Sequence, residues 1–124
     1  MLNSAKLMAF VPIRDSRRSR PFYENVLGLR FISDDPFALV MDSNGVTVRL
    51  AKTPSFTPAG FTVMGWEVTG IEKTMAAMEK NGVRFERFPG LTQDAHGVWS
   101  APSGARVAWF KDPDGNLLSV SQHP

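Results

Sequence analysis

Few residues in this chain are able to do chemistry. There are no cysteines and only two histidines, His96 and His123, which excludes thiolate metal sites, disulfides and cysteine nucleophiles. His96 follows Asp94 in "TQDAHGVW". An Asp-x-His pair can orient a general base, because a carboxylate fixes the imidazole tautomer, or it can offer two ligands to a metal. The competing reading is an ordinary loop whose aspartate accepts from nearby amides. His123 is the penultimate residue, where a solvated terminus is expected.

Arg49 is the most informative single residue. In "VTVRLAK" Val46, Val48 and Leu50 alternate with Thr47 and Arg49, so strand geometry sends the arginine to the face opposite the aliphatics. There it can form two parallel hydrogen bonds with a carboxylate or phosphate of a ligand. Alternatively it is an exposed strand arginine, or one paired with Glu67 or another acid. Trp66, Trp99 and Trp109 read as core, with Trp99 the best placed to wall a pocket for a flat organic molecule and Gln93 able to supply a polar contact beside it. Asp112, Asp114 and Asn116 belong to a turn. No Ser-His-Asp order, phosphate-cradling glycine loop or dinucleotide fingerprint is present.

These residues must be positioned by elements legible in the chain. "LMAFVPIR", residues 7–14, reads as a buried strand, after which Asp15 or Ser16 can cap a helix carrying "FYENVL" and ended by Gly28. Pro21 conflicts with an early start, which leaves Ser19 as an alternative cap. Phe22, Val26 and Leu27 have helical spacing for one apolar face. "LRFISD", "FALVMD" and "VTVRLAK" follow as strands, the last two joined by the hairpin signal Asn44-Gly45. "KTPSFTPAG", residues 52–60, reads as a linker. The order then repeats: strand "FTVMGWEV", amphipathic helix "IEKTMAAMEKNG" with Ile71, Met75 and Met78 inward and a stop at Gly82, and strand "VRFERF". A long segment, residues 89–104, leads to the final hairpin, whose turn is Asp112-Pro113-Asp114-Gly115-Asn116. The expectation is one α+β domain over residues 1–124, made of two β-α-β-β-β modules, 6–51 and 61–122.

Composition narrows the class of partner. With 124 residues, 43% hydrophobic and 21% charged, the chain is an ordinary one-domain globular protein with no apolar run near the ~18 residues of a membrane span. No secretion signal is visible, so a cytoplasmic location is expected and no membrane partner. The net charge is only +2. The one dense basic cluster, "RDSRRSR" at 14–20, has no interleaved aromatics and reads as a solvated helix start rather than a phosphate or nucleic-acid site.

The two spaced modules, the helix with "FYENVLGL" and the terminal "FKDPDGNLLSV" together resemble the vicinal oxygen chelate superfamily, which includes glyoxalase I, bleomycin-resistance proteins, fosfomycin-modifying enzymes and extradiol dioxygenases. The resemblance runs from about residue 6 to residue 122. It implies two modules whose mixed sheets curl into a cup, commonly completed in a homodimer. Metal-dependent members resembling glyoxalase I place His or Gln on the first strand, Glu on the fourth, His or Glu on the fifth and Glu on the eighth. Counted from the nearest anchors, those places fall on Met8, on Arg49, on Val63 or, with a one-residue slip, Met64, and on Ser119. None suits a hard or borderline divalent metal, and Arg49 would set a fixed positive charge beside the cation. The resemblance therefore implies a member without the family's metal or any other cofactor, with a cup lined by Met8, Arg49, Met64, Trp99 and Ser119. Such a protein would bind a small organic molecule, with an anionic group as the natural partner of Arg49. Two rivals stand beside this reading. One is an enzyme of lyase or dioxygenase type using Asp94 and His96, and the other an interaction module whose cup is filled by side chains.

Overall fold

The computed structural model describes all residues, Met1–Pro124. They form two compact units, Met1–Thr57 and Pro58–Pro124, which divide inside the proline-rich segment 52–60. Each unit carries one mixed four-stranded sheet and one main helix, so the chain is α+β.

The first unit runs β1 (Met8–Ile13), α1 (Ser16–Pro21), β2 (Arg30–Asp34), β3 (Ala38–Ser43) and β4 (Val46–Lys52). Its sheet order is β1-β4-β3-β2, with β1 parallel to β4 and the other pairs antiparallel. Asn44 and Gly45 both hold positive φ, 49° and 88°, the backbone that a two-residue hairpin requires and Asn-Gly tolerates. The register aligns Val11 with Leu50, Leu50 with Leu39, and Val48 with Met41. These side chains are buried and form the unit's core, each contributing about 1.5–3 kcal/mol by leaving water.

In this unit the structure corrects the burial of β1 and of the helix face, and it selects one of the helix caps offered. β1 is half-buried rather than buried, since Val11 and Ile13 face the core while Met8 and Phe10 are 44% and 63% exposed on the other face. α1 starts at Ser16 with Asp15 as its cap, accepting from the Arg17 amide, and Ser19 lies buried inside the helix. Pro21 is its last residue: the ring has no N–H to continue the ladder, the Phe22 amide bonds back to Ser19, and one π turn, Phe22–Val26, follows. That wider turn, closed by the Leu27 amide on the Phe22 carbonyl at 2.9 Å, brings Tyr23 rather than Phe22 into full burial.

The second unit runs β5 (Met64–Glu67), α2 (Ile71–Lys80), β6 (Trp99–Ser100), β7 (Arg106–Lys111) and β8 (Leu117–Gln122). Its order, β5-β8-β7-β6, repeats that of the first, with β5 parallel to β8. Ile71 and Met75 of α2 are buried, as are Ala108, Phe110, Leu118 and Val120 of the sheet. The strand expected over "VRFERF" is not regular. Only Phe85 bridges Phe110, with the Glu86 amide donating to the Trp109 carbonyl at 2.8 Å. The chain then loops out and returns as β6, whose Trp99 pairs with Val107. One edge place beside β7 is thus shared by two short pieces, one on each side of the loop.

Candidate functional site

Strand alternation gives each sheet one face toward its core and one open face. In the first unit Phe10, Arg49 and Val40 stand in register across β1, β4 and β3, with Met8, Thr47 and Asp42 in the next row. Met8 and Arg49 therefore share the open face. Arg49 is half-buried, and its guanidinium makes no hydrogen bond or ion pair within the unit. Its charge is felt at Asp35, whose carboxyl is held below its usual value mainly by the amides of Phe37 and Ala38, with Arg49 adding a longer-range effect. The other arginines nearby are engaged. Arg14 donates to the Phe56 carbonyl and lies 4.2 Å over its ring, Arg17 pairs with Asp15, and Arg20 pairs with Glu24 while stacking 3.6 Å over Phe31.

In the second unit Gly65, Ser119 and Trp109 form one row of the open face, and Glu67, Ser121, Val107 and Trp99 the next. Trp109 is the hub of an aromatic cluster, edge-on to Phe88 at 5.5 Å and 6.2 Å from Trp99. Its indole N–H donates to Thr62. Trp99, expected on a loop, begins β6 instead. Met64 departs from its expected place: it pairs with Leu118, which aligns with Phe110, so period two turns it to the core side. Val63, one residue earlier, alternates onto the face of Ser119. Gly65 sits directly against the serine, and a Cβ there would lie 2.3 Å from the Ser119 hydroxyl oxygen.

Gln93 is not available to a ligand. Its amide oxygen accepts from the Phe88 amide, and its nitrogen donates to the carbonyls of Glu86 and Gly97, so it closes the neck of the 87–98 loop. Asp94 is likewise directed at backbone. Its Oδ1 accepts from the amides of His96 at 2.8 Å and Val98 at 3.0 Å. These amides, that of Val98 foremost, hold its carboxyl below the usual range. The carboxylate thus shapes the loop and does not orient the exposed His96 ring. Asp94 and His96 do line one small cavity of about 90 Å³ with Glu72, Glu79, Met75 and Val98. Arg106 pairs with Glu72 and approaches Asp94 at 4.0 Å. His123 meets only Ser121 among side chains.

No three His, Asp or Glu side chains converge on a point that could hold a metal ion. The places at which the family resemblance would put metal ligands hold a thioether (Met8), a guanidinium (Arg49), an aliphatic chain or a second thioether (Val63 or Met64), and a hydroxyl (Ser119). This set does not fit a divalent cation that needs imidazole and carboxylate donors. The residues missed in the sequence are Phe10, Gly65 and Phe88. Phe10 was open to detection, since it alternates with Val11 and Ile13, whereas Phe88 reaches Trp109 only through the looped-out segment.

Paired β-α-β-β-β units of identical strand order, each with one open sheet face, define the architectural class. The model of the Glyoxalase/Bleomycin resistance protein/Dioxygenase superfamily matches residues 6–120, and the chain belongs to that family. A search of curated proteins gave no match. Among solved structures, the chain is similar to a putative glyoxalase family protein from Bacillus anthracis (15% identity, covering 98% of this chain and 96% of that one, TM-score 0.75). It is also similar to TnmS3, an antibiotic binding protein from Streptomyces sp. CB03234 (20%, 100% and 99%, 0.73), and to lactoylglutathione lyase from Agrobacterium tumefaciens (15%, 96% and 93%, 0.72). At these identities the likeness is one of fold.

Proposed function

We propose that this chain binds a small organic anion on the open face of its first sheet, without the metal used by enzymatic members of its family. Arg49 carries the reading. A half-buried guanidinium with no partner in its unit has lost part of its hydration and gains most from a bidentate anion. Phe10, exposed in the same row, and Met8, exposed in the next, supply an aromatic ring and an adaptable thioether for an apolar body. A homodimer would cover more of this apolar face, in keeping with the prevalence of two-fold assemblies. The likeness of fold to an antibiotic binding protein from Streptomyces supports a binding role.

The test is a thermal-shift screen of aromatic and anionic compounds, followed by titration of the hits against the wild type and Arg49→Gln. Loss of a charge-assisted bidentate contact, about 1.5–3 kcal/mol, weakens binding roughly 10- to 100-fold. No shift with any compound, or no hit that Arg49→Gln weakens, refutes the proposal. About one tightly held metal per chain by elemental analysis refutes its metal-free part. A second reading, an enzyme using Asp94 and His96, is favoured by their shared cavity. It requires turnover that His96→Ala abolishes.

A further inference from the structure

We propose that the cavity at the turn of the β7–β8 hairpin is a binding site for a flat aromatic monocarboxylate, with Lys111 as its anion contact. The cavity measures about 370 Å³, within the usual range of small-ligand sites, about 300–1,000 Å³. Pro58, Ala59, Phe88 and Leu117 make its apolar walls, Gly115 adds bare backbone, and Lys111 is its one cation. Neither Arg49 nor the Asp94–His96 pair lines it.

The hairpin fixes the polar and apolar halves of this site side by side. Lys111 and Leu117 are direct cross-strand partners, held by the Asp112-centred turn that follows the lysine. Phe88 is braced edge-on against Trp109, whose indole is anchored to Thr62, so the aromatic wall is preformed. The ammonium is half exposed, and its ion pair, with Glu86, is 3.8 Å long. A charge-assisted hydrogen bond is about 2.7–2.9 Å. A ligand carboxylate can therefore take a closer position on Lys111 than Glu86 holds. The same glutamate disfavours a second negative charge, which selects monoanions over dianions.

The site is tested on the full chain with 2-naphthoate and its neutral counterpart 2-naphthylmethanol, by calorimetric titration and tryptophan fluorescence. The expected result is that naphthoate binds about tenfold more tightly than the alcohol, that Lys111→Met removes this preference while Lys111→Arg retains it, and that Ala59→Phe blocks both compounds. The titrations are repeated in Arg49→Gln, which removes any naphthoate held on the first sheet and leaves the Lys111-dependent preference in place. Equal affinities in the wild type, no binding of either compound, or a preference retained in Lys111→Met overturns the assignment. So does a preference lost in Arg49→Gln, although that outcome supports the function proposed for the first sheet. Failure of the Arg49 screen, conversely, leaves the naphthoate result standing.

Discussion

Replacing Asp112 by alanine should be among the most damaging single changes outside the apolar core. Asp112 is 5% exposed. Its Oδ1 accepts from the amides of Asp114 and Asn116, both at 2.9 Å, and its Oδ2 accepts from the Asn116 side-chain amide at 2.8 Å. The alanine leaves two buried backbone donors without that acceptor. At about 1–3 kcal/mol for each of these two backbone donors, the cost is at least about 2–6 kcal/mol, with the Asn116 side-chain amide losing its acceptor as well, or roughly 4 °C in Tm per kcal/mol for a chain of this length. Asp112→Asn keeps Oδ1 for both amides but puts an NH2 in place of the oxygen that accepts from the Asn116 side-chain amide, so it loses that one bond and should cost about 1–3 kcal/mol. Urea denaturation followed by tryptophan fluorescence measures both, since Trp109 lies on the strand leading into this turn. Asp112→Ala within about 0.5 kcal/mol of wild type, the range of an ordinary surface change, would show that water or backbone rearrangement satisfies the turn. An asparagine as harmful as the alanine would show that charge, not the amide acceptor, matters. Either result refutes the argument.

Gly65→Ala forces a methyl to 2.3 Å from the Ser119 hydroxyl and 3.2 Å from the Ser119 carbonyl, an overpacking that should cost about 1–3 kcal/mol. Ser119→Ala in the same chain should recover part of it, because the hydroxyl clash is gone and the carbonyl contact remains; strictly additive costs in the double-mutant cycle would contradict this packing. Asp94 gives a pH prediction. Its carboxyl is lowered in the folded chain, first by the Val98 amide and also by those of His96 and Gly97, so its contribution is present above the ordinary value of 3.8 and is lost as pH falls through the lower folded value. The urea midpoint of Asp94→Asn should accordingly decline less steeply than that of the wild type below roughly pH 4, and identical slopes would rule the linkage out.

The fold was legible wherever local chemistry and periodicity agreed. Asn44-Gly45 and the Asp112-Pro113-Asp114-Gly115-Asn116 turn mark their hairpins because each residue has a backbone or hydrogen-bonding reason to be there. The repeated β-α-β-β-β order was visible because both helices stand in the same place between strands. Legibility failed where a local rule had two outcomes. Pro21 is tolerated because α1 ends at it and a π turn carries the chain on, which residue type alone does not announce. "VRFERF" has strand composition, yet its backbone partners are shared with β6 across a loop closed by Gln93.

For the candidate site the division is similar. The sequence alone determined that Arg49 faces away from the aliphatics of β4, that thiolate chemistry is impossible, and that imidazole and carboxylate donors are missing from the places the resemblance indicates. These follow from residue type and period two. Only the tertiary structure decided that Arg49 has no partner in its unit, that Met64 turns toward the core, that Gln93 and Asp94 serve backbone amides, and that Phe88 reaches Trp109. Those outcomes depend on strand register and loop closure. A one-residue slip moves a side chain to the opposite face, and which donors and acceptors meet is set by contacts distant in the chain.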